Sequence, residues 1–351
     1  MRKTFLMVGV FLSAMLSVFA QNEMEVTTVV VVENQEAELA YNKGISFMDT
    51  KQYQEAIAQF EEAIRINPAF RQAYVNLGSA KAALKDYDGA VFAFEQSLEL
   101  DSTQGQVWYS RGLALYNKND YRQSYESMQS AVRNGYRTAE TYYYAGVDLF
   151  FLKEYEAAIT QYTNAIKTDL SYAYAYNDRG SCYRMLGKYN EAIRDYEIAA
   201  NYDPQLANIY DNLGSALVKK GDLQAAIKNF NLAIAKKPDF YAAYNNRGEA
   251  YFLQGDIKSA FNDFKKATEL NKQYALAYNN LGVVYASQKK YEEALKMYAN
   301  AIKINPNFGM AYYHQAAAQE MLRQFDECCM SLVKARELGV DVPAALTSNC
   351  N

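Results

Sequence analysis

The chain has 351 residues, half of them hydrophobic, with 32 tyrosines against 5 prolines and 1 tryptophan, and a formal net charge of -4. That composition excludes a disordered or collagen-like chain, and the acidic balance excludes a surface that draws in phosphate backbones, so no nucleic-acid partner is expected. The length would suggest roughly two or three globular domains, unless the chain is built from internal repeats, which are therefore sought first.

Residues 1–20 read as a signal peptide: Arg2 and Lys3, an apolar run from Phe5 to Phe19, then Ala20 ahead of polar Gln21. The run falls short of the roughly 20 apolar residues a spanning helix needs, and no cationic stop-transfer cluster follows it, so an uncleaved anchor is the weaker alternative. No cysteine follows the expected cleavage point, which argues against a lipoprotein anchor. The expectation is a periplasmic or secreted protein without stable membrane insertion. A lead-in segment, 21–36, carries a β-prone run from Glu25 to Val32 that does not fit a helical period.

From residue 37 to 342 the chain repeats every 34 residues, nine times without insertion, starting at Ala37, Arg71, Gly105, Ala139, Ala173, Ala207, Tyr241, Ala275 and Gly309. Position eight is Gly44, Gly78, Gly112, Gly146, Gly180, Gly214, Gly248 and Gly282, then Ala316. Position four is Ala40, then Tyr74, Trp108, Tyr142, Tyr176, Tyr210, Tyr244, Tyr278 and Tyr312. Small and large side chains at helical spacing predict two closely packed helices per repeat. Pro68, Pro204, Pro238 and Pro306 share position thirty-two, where proline ends the second helix and admits the next repeat. Ordering one repeat costs on the order of 50 kcal/mol of conformational entropy, more than a lone helix pair recovers, so each repeat depends on its neighbours.

These residues resemble the tetratricopeptide-repeat (TPR) family, and the resemblance covers all but the leader, the lead-in and the tail, 343–351. It implies an all-α fold, an α-solenoid wound as a right-handed superhelix. It also implies a non-enzymatic protein-interaction module whose first helices line a concave groove for extended peptides. The partner's identity is not implied. A spacer or self-assembling scaffold that uses the ends and convex face is the alternative, so self-association stays open.

On the first helix, positions two, five, six, nine, twelve and thirteen are assigned to the groove. Asn42, Asn76, Asn212, Asn246 and Asn280 stand at position six and Asn177, Asn245 and Asn279 at position five, similar to the asparagine ladder of superhelical TPR proteins. An amide both donates and accepts, so such a ladder can pair with a peptide backbone, or else bond within the solenoid. Repeats three and four replace the amides with Ser110 and Tyr144, and the groove positions become Tyr109, Tyr116, Tyr143, Phe150 and Phe151, continued by Tyr174. These rings are expected either to form a specificity pocket or to pack against the next helix.

Groove charges are few and mixed, with Glu38, Asp211, Glu249 and Glu320 against Arg184 and Lys219, so no carboxylate clamp is expected. Arg111, Arg179 and Arg247 are expected to lie along the helix pairs. The single histidine, His314, occupies position six of the ninth repeat and is expected to be exposed. No nucleophile with a base, no carboxylate pair and no metal spacing is evident, so neither catalysis nor a cofactor or metal is expected. Gly187-Lys188 lacks the upstream glycine of a phosphate loop. Two arrangements of the four cysteines stay open: Cys350 bonds either Cys328 or Cys329 and pins the tail onto the last repeat, or the cysteines are small buried thiols, Cys328 above all at its alanine position.

Overall fold

A computed structural model describes residues 35–343 and Cys350. The signal-peptide and β-prone expectations, on residues 1–20 and 25–32, lie outside the described residues. The described residues form helices joined by short turns, without strands, and fall into two compact units that divide after Asp169.

The first unit holds four helix pairs: α1 (35–49) with α2 (Tyr53–Ile66), α3 (Arg71–Ala83) with α4 (Tyr87–Leu100), α5 (Gly105–Asn117) with α6 (Tyr121–Arg133), and α7 (Ala139–Phe151) with α8 (Tyr155–Thr168). The second unit holds five: α9 (Ala173–Met185) with α10 (Tyr189–Tyr202), α11 (Ala207–Lys220) with α12 (Leu223–Lys236), α13 (Tyr241–Gln254) with α14 (Ile257–Leu270), α15 (Ala275–Ser287) with α16 (Tyr291–Ile304), and α17 (Gly309–Met321) with α18 (Phe325–Glu337). From α3 onward, every odd-numbered helix begins on the residue that opens a repeat.

The small residue at position eight makes the close pairing possible. At Gly282 an added Cβ would lie 2.5 Å from Cε1 of Tyr298, and at Gly214 2.6 Å from Cε1 of Phe230. Tyr298 and Phe230 are themselves fully buried, so the ring occupies the space a side chain would need. The turn between the two helices of a repeat places its position-fifteen residue in the left-handed region throughout the array. Only Gly187, Gly221 and Gly255 meet that demand with glycine, while Lys51, Lys85, Asn119, Lys153, Lys289 and Arg323 adopt positive φ values of 59° to 64° at a steric cost. Asp86, Asp120, Asp222 and Asp256 cap the following helix by accepting from the backbone N–H three residues on.

The arginines lie along the helix pairs, as the sequence suggested. Arg179 grips Asp195 through two bonds of 2.8 Å, and Arg247 grips Asp263 through two of 2.7 Å, each across its own repeat. Arg111 reaches Glu95 in the preceding repeat and Ser127 in its own. Among the cysteines the structure selects one alternative: Cys329 is bonded to Cys350, while Cys328 is buried as a free thiol at a position elsewhere filled mostly by alanine. Cys182 is also buried and free.

Candidate peptide-binding groove

The sequence places position six of one repeat and position five of the repeat before it 35 residues apart, and the structure joins them. Asn76 Nδ2 donates to the Tyr41 hydroxyl (2.8 Å), Asn212 to Asn177 Oδ1 (3.0 Å), Asn246 to Asp211 (3.0 Å) and Asn280 to Asn245 Oδ1 (3.0 Å), and His314 Nδ1 stands 2.9 Å from Asn279 Oδ1. These bonds tie α3 to α1, α11 to α9, α13 to α11, α15 to α13 and, through His314, α17 to α15.

This corrects the position-five half of the ladder. Asn177, Asn245 and Asn279 are 4%, 0% and 3% exposed, so a passing peptide cannot reach them. Their amides are satisfied inside the array, as buried polar groups must be. The position-six residues Asn76, Asn212, Asn246 and Asn280 are half-buried, and Asn42, which has no preceding repeat to bond, is exposed.

In the second unit the bonds run on as a relay. Asn245 Nδ2 donates to Asn246 Oδ1 (3.4 Å) and Asn279 Nδ2 to Asn280 Oδ1 (3.2 Å), so an unbroken chain leads from His314 through four amides to the Asp211 carboxylate. Burial raises the Asp211 carboxyl to about 6, against the pull of Asn246 and Arg184, so at neutral pH it is ionised and only accepts. That fixes the direction: every amide turns its N–H₂ toward Asp211, Asn279 is left with its carbonyl toward the histidine, and His314 carries its proton on Nδ1. Burial lowers the His314 pKa and keeps the ring neutral. The expectation of an exposed histidine is thus corrected, because the ring is held half-buried at the end of the relay.

A recess of about 350 Å³ opens where three successive first helices meet. Helix α13 supplies Glu249, Phe252 and Leu253, α15 supplies Leu276, Asn280 and Val283, α17 supplies His314, and the buried ring of Phe264 on α14 backs it. Leu253 and Leu276 are 56% and 38% exposed, so the walls of the recess present apolar surface to solvent. Apolar walls with a few fixed polar groups are the usual makeup of a binding pocket. Most of these residues sit at positions already assigned to the groove. The cue missed in the sequence was the run of aliphatic side chains at positions two, nine and thirteen, which is less conspicuous than the tyrosines of repeats three and four.

Those tyrosines behave differently from the specificity pocket that was one of their two readings. Tyr109 packs edge-on against Tyr144 (6.4 Å between ring centres), Tyr144 against Tyr116 (5.4 Å) and Tyr143 (5.5 Å), and Phe151 stacks on Tyr121 (4.5 Å) while meeting Phe150 (6.0 Å). Tyr109 and Tyr144 are again 35 apart, so in these repeats a ring pair takes the place of the amide bond between consecutive first helices. Burial beside Tyr144 raises the Tyr109 hydroxyl pKa. Phe151 keeps 49% of its surface exposed at the edge of the cluster. Tyr174 belongs to the second unit, where it is 45% exposed and meets Tyr172.

Among the described residues no cluster of three or more histidine, cysteine or acidic side chains is placed to hold a metal, and no helix is long and apolar enough to cross a membrane.

Comparison with known proteins agrees with this architecture. Residues 41–105 and 275–308 match the family description "Tetratricopeptide repeat", and 180–221, 214–255 and 248–289 match "TPR repeat". No curated protein matches the chain. Of solved structures, "Crystal structure of APC/C hetero-tetramer Cut9-Hcn1" is similar at 15% identity and TM-score 0.59, covering 89% of this chain and 75% of that one, a likeness of fold. "Crystal structure of MamA" is similar at 30% identity and TM-score 0.40 over 45% of this chain and 93% of that one. "Crystal structure of YrrB: a TPR protein with an unusual peptide-binding site" is similar at 23% identity and TM-score 0.47 over 52% and 95%. With the repeat period, the helix pairs and family matches over more than half its length in agreement, the chain belongs to the tetratricopeptide-repeat family.

Proposed function

We propose that this protein is a non-enzymatic adaptor that holds extended segments of partner proteins against the first helices of its repeats. The observation that carries this reading is the recess on α13, α15 and α17. It combines exposed Leu253 and Leu276 with two fixed polar groups, and it lies across three repeats, so a bound segment runs along the stack. The relay beneath it holds the first helices in register before any ligand arrives, and a pre-organised surface loses less entropy on binding. The reading includes export: the leader at residues 1–20 is taken to be cleaved, leaving the repeats in the periplasm or outside the cell. N-terminal sequencing of the protein recovered from its native host tests that part. A chain beginning at Met1 would overturn it.

Binding is tested by selecting decapeptides from a displayed library on the full chain and repeating the selection on Val283→Glu. Peptides that survive on the parent and vanish on the variant support the groove. Selected peptides indifferent to the substitution would place binding elsewhere.

The scaffold reading has its own observation. Helix α18 leaves Phe325, Met330 and Val333 at 61%, 66% and 45% exposure beside the Cys329–Cys350 bond, an apolar face suited to contact with another copy. Sedimentation that shifts with concentration, and stops shifting in Met330→Glu, would favour it.

A further inference from the structure

The chemistry of the recess narrows what a bound segment must present, and this inference rests on the adaptor reading above. Its lining is hydrocarbon from Phe252, Leu253, Leu276 and Val283, together with three polar side chains: Glu249, Asn280 and His314. Asn280 is engaged at both ends of its amide, donating to Asn245 and accepting from Asn279. Two polar groups remain for a ligand, and both accept.

Glu249 is exposed and has no ion-pair partner among the described residues, and no lysine or arginine lines the recess. His314 is an acceptor for a structural reason. The relay ends on the Asp211 carboxylate, which turns the Asn279 carbonyl toward Nδ1 and so leaves the neutral ring's lone pair on Nε2. Position six carries asparagine in five other repeats, and an asparagine there would close the relay equally well without adding that second ring nitrogen.

A site with a long apolar wall, an uncompensated carboxylate and a fixed acceptor complements a side chain with a hydrocarbon stem and a donating, cationic head. We propose that the recess is a subsite for a basic side chain, arginine or lysine, of the extended segment. The stem lies against Phe252, Leu253, Leu276 and Val283, the charged head pairs with the Glu249 carboxylate, and one head N–H donates to His314 Nε2.

Decapeptides selected on the full chain and sensitive to Val283→Glu are synthesised in two forms, with the basic residue and with norleucine in its place, and titrated by fluorescence anisotropy. The norleucine form is expected to bind about tenfold more weakly, and Glu249→Gln to weaken the basic form about tenfold while leaving the norleucine form unchanged. His314→Asn is expected to keep the melting temperature, because the relay persists, while weakening the basic form about threefold. Equal affinity of the two forms, or a selected set without arginine or lysine, overturns the basic subsite and leaves the groove standing as a purely apolar one. Selection that yields no peptide sensitive to Val283→Glu overturns the subsite and the groove together.

Discussion

Asp148 is a residue whose replacement should change how the stability of the first unit depends on pH. Position ten, which it occupies, is elsewhere Ser46, Ala80, Ala114, Cys182, Ala216, Ala250, Val284 and Ala318, none of them a carboxylic acid. Asp148 is 0% exposed, its Oδ1 has no hydrogen-bond partner, and its Oδ2 lies 2.7 Å from the Ser124 hydroxyl, which itself lies 2.9 Å from the Gly112 carbonyl. One hydroxyl proton cannot serve two acceptors. The arrangement closes if Ser124 donates to Gly112 and a protonated Asp148 donates to Ser124.

Burial supports that state, raising the carboxyl from 3.8 to about 8. Because the folded pKa lies above the unfolded one, the folded chain binds the extra proton between them, and stability falls as pH rises through that window. The slope is about 1.4 kcal/mol per pH unit between roughly pH 5 and 8, which makes the burden at pH 7 on the order of 4 kcal/mol. Asp148→Asn keeps the shape and a donor toward Ser124 but removes the titration. Its own misfit shifts stability by an amount independent of pH, so the slope is the quantity to read. Urea unfolding at pH 5, 6, 7 and 8, with amide exchange in α5 and α7 as the local probe, should show the variant gaining on the parent by about 1 kcal/mol per pH unit. Parallel stability profiles for the two chains would refute the neutral buried carboxyl.

Other expectations follow from the packing. Gly214→Ala forces a methyl against the buried Phe230 ring, costing about 1–3 kcal/mol, and Phe230→Leu in the same chain should recover part of it in thermal unfolding. Lys85→Gly relieves a left-handed lysine and should stabilise by about 1 kcal/mol at most, against no gain if the turn is indifferent to residue type. Cys329→Ser opens a 21-residue loop and should loosen α18 by about 3 kcal/mol on the chain-entropy account, seen as faster amide exchange in that helix alone.

The fold was legible because the repeat is exact in length: glycine at position eight in eight of nine repeats predicts the close helix pair, but the sequence reading set the position-four aromatics against it, whereas the structure seats position twenty-four there, as Phe230 against Gly214 and Tyr298 against Gly282. The site was legible only in part. Asn245 and Asn246 are neighbours in sequence with the same chemistry, yet one is buried and the other half-buried. That difference comes from the 35-residue offset between consecutive first helices, which composition at a single position does not reveal. The tyrosines of repeats three and four drew attention by ring density, but rings also satisfy one another, and Tyr109, Tyr116 and Tyr144 do so. Leu253, Leu276 and Val283 were ordinary aliphatics until three helices placed them around one opening. Asp148 was not singled out from the sequence, although it is the one acid at position ten, where five of the other eight repeats carry alanine, and only its burial makes it a titrating group.

The central claim, that extended segments lie on the first helices across α13, α15 and α17, is tested most directly by methyl NMR. A selected decapeptide bearing a nitroxide is titrated into methyl-labelled full-length protein. The account predicts broadening of the Leu253, Leu276 and Val283 methyls, with Leu232 on α12 and Val333 on α18 unaffected. Broadening confined to Leu232, Val333 or other second-helix methyls would contradict it.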